Sequence, residues 1–433
     1  MALALPVAWI ALRVAAFPAR DFQWVSCCSL GGALLSAVAS VTAWESYDPS
    51  GPTYWRDDQV YWAKAGAIAA AWRTGWFPVL EMAGSSASPY VGSLNTGYER
   101  MLAAAFWLAG GPSLAAGRAL NIAAVAILPW VAFILADGLA PVAAPSASAS
   151  AATATIARDD RRNFDPRRLA ALMVAVHPAF PYWSGILMRD AILACLAALA
   201  VATALDTMAT RRPAPALAFV GALVWLTAFR NYAGLAVALG FGVRALAGVP
   251  ARAALWCAGG AGAAAWVAGY SSKGDHYVTQ VLFSVFGTQS HPELSTIPAV
   301  FKHLVMAFPR MALAPFAWVT AEGPAPLYGL YPGMWFLYLV VYPLGLAGVA
   351  EAVARDRRQA AVPLVAAMAS CGVFLAVYGG DATRQRLFLE VILMPFAAFG
   401  WSARRRGAWA VAWFATLILF AAAQSARLAM RQP

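Results

Sequence analysis

The chain has 433 residues, of which 61% are hydrophobic and 12% charged. Soluble proteins carry about 25% charged residues, and a soluble chain this long would not cover its surface with so few. The formal net charge of +11 does not indicate nucleic acid, because many basic residues fall in short loops between apolar runs, the pattern of cytoplasmic loops in membrane proteins.

Residues 1–17 are apolar but carry Arg13, so they either span the membrane or lie along its inner surface. The first charge lies inside the apolar run rather than before it, which argues against a cleaved signal peptide. Apolar runs of roughly 18 residues or more read as membrane spans. They fall at 24–44, 119–138, 214–229 with a continuation to 247, 252–270, 333–350, 360–379 and 407–424. Counting weaker runs, the expectation is an all-α polytopic bundle of about 10–12 spans, forming a single domain over residues 1–433. Arginines cluster at 158–168, 211–212, 244–252, 355–358 and 404–406. Placing these five loops in the cytoplasm gives a consistent alternation along the chain. It puts residues 45–116, 182–190, 271–332 and 380–387 on the outer face.

Within the outer segment 45–116, residues 57–73 predict an amphipathic interfacial helix. Its apolar stripe is expected at positions 60, 61, 67, 68, 71 and 72. Residues 96–109 predict a second such helix, and the outer segment 271–332 holds another, broken by Pro309. Residues 140–168 begin with small, low-complexity sequence and read as a flexible cytoplasmic loop. The five cysteines all lie in apolar segments and read as packing residues rather than a disulfide framework. None of the four histidines forms a metal-binding pair, and there is no phosphate-binding glycine loop.

The most informative feature is Asp57-Asp58, directly before Gln59-Val60-Tyr61. Carboxylates are costly at the mouth of an apolar bundle. Asp57 and Tyr61 share a helical face, with Asp58 about 100° round from Asp57. The pair either caps the interfacial helix at its positive end or serves chemistry. His177 interrupts an apolar run at its expected outer end, and Arg189-Asp190 opens the helix that follows; a local ion pair is the plain alternative there. Arg230 splits a long apolar stretch, and snorkelling competes with anion binding for its role. Arg384 and Arg386 sit at an outer turn against the positive-inside tendency, and guanidinium groups suit phosphate.

These features together resemble the GT-C superfamily of polytopic glycosyltransferases. The resemblance rests on Asp-Asp-x-x-Tyr in the first outer loop, NTGYERMLAAAFWLAGGPSLAAGRALN, HPAFPYWSGILMRDAIL, FPRMALAPFAW and GGDATRQRLFLEVILMPFAAFG. The nearest in style are the aminoarabinose transferase and protein mannosyltransferase group, glycosyltransferase family 39. This chain has Asp-Asp where those enzymes often show Asp-Glu, and it lacks their Lys-Pro-Pro string near residues 88–95. The resemblance implies an inner-membrane, multi-pass enzyme that moves a sugar from a polyprenyl-phosphate donor to an acceptor hydroxyl. The chemistry falls on the extracytoplasmic face, with inversion. Asp57 matches the catalytic base, with Asp58 as its understudy. Arg384, Arg386 or Arg230 would hold the donor phosphate. Tyr61, Asp190, Arg189 and His177 would orient substrate. No cofactor or metal is expected, and the partners are the lipid-linked donor, a glycan, lipid or protein acceptor, and membrane lipid. Two rivals stand beside this reading: a polysaccharide polymerase or ligase using a lipid pyrophosphate, and a transporter of lipid-linked saccharide.

Overall fold

The computed structural model describes residues 4–42, 56–75, 97–140, 165–246, 330–378, 387–403 and 405–429. Among them every regular element is an α-helix. In chain order these are α1 (Ala4–Ala15), α2 (Ala19–Thr42), α3 (Arg56–Arg73), α4 (Gly97–Leu108), α5 (Leu114–Leu139), α6 (Pro166–Ala175), α7 (Ala179–Ser184), α8 (Asp190–Thr210), α9 (Pro213–Phe229), α10 (Asn231–Leu246), α11 (Leu330–Tyr378), α12 (Leu387–Trp401) and α13 (Arg406–Ala429). Three of them, α2, α5 and α8, are long and apolar enough to cross a membrane.

Helix α8 is the core. Every residue from Asp190 through Leu205 is buried, as expected of a helix that is apolar all round. It packs between α5 and α9. Helix α2 lies outside and exposes Leu30, Leu34, Leu35, Val38 and Val41. Local chemistry sets the helix starts. Ser113 caps α5, its hydroxyl accepting the Ala116 N–H at 3.3 Å, and Asp165 caps α6 ahead of Pro166; both are favoured solutions for the orphan donors of a first turn.

One end of the bundle is held by ion pairs. Arg13 and Arg167 meet Asp137 at 2.9 and 3.1 Å, Trp9 donates to Asp206 at 2.9 Å, and Arg168 pairs with Asp21. At 12 residues, α1 reaches about 18 Å. It is therefore too short to span a bilayer core of about 30 Å, and Arg13 and Trp9 tie it to this end. The Arg211-Arg212 turn follows Asp206 here. Gln359 donates to the Gly138 carbonyl, and Phe399 lies beside Leu139 and Asp356. The basic residues at 165–168, 211–212, 355–357 and 405–406 thus gather at the Asp137 end.

Two sequence expectations change in detail. The runs expected at 333–350 and 360–379 form one element, α11, broken at Asp356 by extended backbone (φ −148°, ψ 89°). The buried face of α3 carries Asp58, Tyr61, Ala65 and Ala69, whereas Val60 and Ala67 of the expected stripe are exposed. The small side chains at 65 and 69 let α4 pack closely along that line, and packing partners, not side-chain apolarity, choose the face. The expected span 252–270, nearly all of the outer segment 271–332 and the low-complexity stretch 141–164 lie outside the described residues.

Candidate functional site

The end opposite Asp137 is built from the start of α3, the start of α4, the turn into α8 and the α9–α10 turn. Two glycines permit this convergence. A methyl group on Gly97 would come within 2.5 Å of the Phe229 ring, so only glycine lets α4 begin against the end of α9. Gly117 likewise leaves room for the Leu187 side chain. Asn121 fixes the same loop by donating to the Ile186 carbonyl at 2.9 Å.

Asp58, Tyr61, Arg189, Asp190 and Arg230 are brought together here. Asp58 is fully buried, and its Oδ1 accepts the Gln59 N–H at 2.7 Å. One turn on, the Tyr61 ring meets Tyr98 edge-on at 5.0 Å. The Arg189 guanidinium lies over Tyr61, 5.5 Å from the ring centre, and donates to the Phe229 carbonyl at 3.3 Å. Arg230 follows at the break between α9 and α10 and is 8% exposed. Among the described residues Arg189 and Asp190 form no ion pair with each other, so the plain reading of that dipeptide does not apply.

Glu99, Tyr98 and Asn121 belong to this group and were not singled out from the sequence. Glu99 is 5% exposed. Burial raises its carboxyl above the ordinary range, opposed by its own backbone N–H and by Arg189, Lys64 and Arg100. Tyr98 is fully buried, and burial raises its phenol too, with Asn121 acting the other way and Tyr61, Asp190 and Glu99 adding to the rise. A signal for Glu99 was present: the chain has only 20 acidic residues, so an acid inside an apolar helix is informative. Behind the site, Arg118 donates to the Ser40 carbonyl at 2.8 Å and satisfies the end of α2.

Five buried atoms of this group find no hydrogen-bond partner among the described residues: Glu99 Oε2, Asp190 Oδ1, Asn121 Oδ1, the Tyr98 hydroxyl and Arg189 Nε. Buried charged atoms without partners cost more than neutral ones, and native interiors retain few of them.

His177 lies elsewhere. Its Nδ1 accepts the Ala179 N–H at 3.2 Å, and its Nε2 stands 2.9 Å from Glu390 Oε2, within ion-pair range but off the line of a hydrogen bond. Tyr342 donates to Glu390 at 3.5 Å. These three line a cavity of about 70 Å³ with Val341, Gly345 and Met394. Arg384 and Arg386 lie outside the described residues, as does the side chain of Asp57, whose backbone forms the first turn of α3. Among the described residues no three His, Cys, Asp or Glu side chains are grouped to hold a metal.

No family model matches this chain, and neither a curated protein nor a solved structure matches it.

Proposed function

We infer that this protein is an integral-membrane glycosyltransferase of the GT-C type. It moves a sugar from a polyprenyl-phosphate donor to an acceptor hydroxyl at the bundle end that carries Asp58. The observation that carries this reading is the group of ionisable residues, buried Glu99 and Asp190 and half-buried Arg189, with unmet hydrogen-bonding atoms beside Asp58 and Arg230. Their position opposite the basic loops supports an extracytoplasmic site in a multi-pass inner-membrane protein.

The chemistry follows from the leaving group. A lipid phosphate is stable as an anion, so no general acid is required. One carboxylate acting as base on the acceptor suffices, unlike the pair used by most glycoside hydrolases. The Asp57-Asp58 pair supplies it, and Asp58, buried on the Tyr61 face, is the member that the described geometry favours. Arg230, with Arg384 or Arg386, stabilises the phosphate as the bond to the anomeric carbon breaks. Attack from the opposite side inverts that carbon.

The test is transfer of radiolabelled sugar from a synthetic polyprenyl-phosphate donor in membrane vesicles. Asp58→Asn, and separately Asp57→Asn, should lower the rate; loss of a general base costs about 10²–10⁴-fold. Full activity in both variants and in their combination would sink the proposal. A second reading, transport of a lipid-linked saccharide, is favoured by one observation, the His177–Glu390 pair buried inside the bundle; transporters keep such charges near mid-membrane. Flux of labelled lipid without transfer would select it.

A further inference from the structure

The unmet atoms at the Asp58 end specify a ligand by elimination. Asp190 Oδ1 and Asn121 Oδ1 are acceptors lacking a donor, and Arg189 Nε is a donor lacking an acceptor. The Tyr98 hydroxyl and the Glu99 carboxyl, whose protonated form burial favours, serve in either sense. Glu99 and Asp190 are 5% and 2% exposed, so bulk water does not serve them. A phosphate offers acceptors only; it would suit Arg189 and protonated Glu99 and leave Asp190 Oδ1 and Asn121 Oδ1 unmet. An ammonium group offers donors only and leaves Arg189 unmet. A hydroxyl donates and accepts at the same oxygen, so neighbouring hydroxyls on one ring match donors and acceptors alike. The aromatic rings of Tyr61 and Tyr98 stand beside them, and aromatic surface suits the C–H face of such a ring.

We propose that Glu99, Asp190 and Arg189 form a polyol subsite that binds the hydroxyls of an uncharged sugar, with Glu99 as its specificity-determining residue. The proposal rests on the glycosyltransferase reading and names the substrate class of that site. It also sets a selectivity. Arg189, Lys64 on α3 and Arg100 on α4 itself favour a charged Glu99, yet burial outweighs them. A carboxylate brought by the ligand has Arg189 to pair with, but it meets the same burial and two carboxyl groups and takes the guanidinium N–H that a ring hydroxyl would use, so uronic acids bind more weakly.

The experiment is saturation-transfer NMR on the full chain in lipid nanodiscs, with the methyl glycosides of glucose, galactose and mannose and with methyl glucuronide as probes. At least one neutral glycoside should bind, with glucuronide weaker by tenfold or more. Glu99→Leu should lose binding by a similar factor, and Glu99→Gln, which keeps an acceptor, by less. Protection of the buried Cys195 thiol shows that each variant is folded; should Glu99→Leu misfold, Asp190→Asn takes its place with the same expected loss. The proposal is overturned by absent binding of all neutral glycosides, by equal binding of glucuronide, or by unchanged binding in the folded variants. Failure of the two readings is separable. A chain that binds glycosides through Glu99 but transfers no sugar refutes only the transferase. A chain that transfers sugar at the full rate with Glu99→Leu refutes only the subsite.

Discussion

The His177–Glu390 pair allows a quantitative test of how the bundle interior tolerates charge. Their side chains are 1% and 3% exposed, so neither is relieved by water when the other is removed. Deleting one partner of a buried pair costs about 3–5 kcal/mol, because the survivor is left uncompensated, whereas replacing both with apolar groups of similar volume is near neutral. Glu390→Leu is therefore expected to destabilise by about 3 kcal/mol or more, and His177→Phe by less, since Glu390 keeps the Tyr342 hydroxyl as a donor. The double variant should recover at least about 2 kcal/mol relative to the sum of the two, a coupling within the range for residues in contact. Glu390→Gln keeps the shape and a hydrogen-bonding end and should cost less than Glu390→Leu. Denaturant unfolding of the detergent-solubilised chain can be followed by thiol labelling. Cys28 and Cys195 are buried and free, and the exposed Cys27 is first changed to serine. Single variants costing under about 1 kcal/mol, or strict additivity in the double variant, would refute the claim that the pair is desolvated and mutually dependent.

Other expectations follow from the same physics. The folded-state carboxyl of Glu99 is raised, so the folded chain holds a proton that the unfolded chain releases. Stability then falls as pH rises from the ordinary Glu value towards the folded one, and Glu99→Gln should stabilise the protein at pH 8 and flatten that slope in thermal unfolding. Asp165 behaves in the opposite sense: burial raises its carboxyl, but hydrogen bonds and charge from Arg167 outweigh it and leave the value lowered. Its contribution is complete above the ordinary Asp value and disappears as pH falls through the lowered one. Gly97→Ala forces a methyl group into the Phe229 ring and should cost about 1–3 kcal/mol by overpacking. Adding Phe229→Leu should restore part of the loss in the same unfolding assay.

Several features of the fold were legible in the chain itself. The scarcity of charge and the long apolar runs around α2 and α5 announce helices suited to a membrane, because hydrocarbon leaves the backbone few other ways to satisfy its hydrogen bonds. The arginines of the loops marked one end of the bundle before any contact was known. Asp58, Tyr61, Arg189, Asp190 and Arg230 stood out because polar residues are expensive among so many apolar ones, and the fold brings all five to the same end. Glu99 escaped notice although it carries the same signal, since a glutamate one turn into an amphipathic helix also reads as solvated surface.

Sequence alone determined the helical class, the apolar segments and the residues whose burial would need a reason, because each depends on composition and local period. Tertiary packing decided the rest. It turned Asp58 inward on α3, seated Phe229 against Gly97, left Glu99 Oε2 and Asp190 Oδ1 without donors, and drew His177 away from the other candidates to Glu390. Those outcomes depend on which helices meet and at what distance, and contacts between residues such as 97 and 229 or 177 and 390 leave no periodic trace in a single chain.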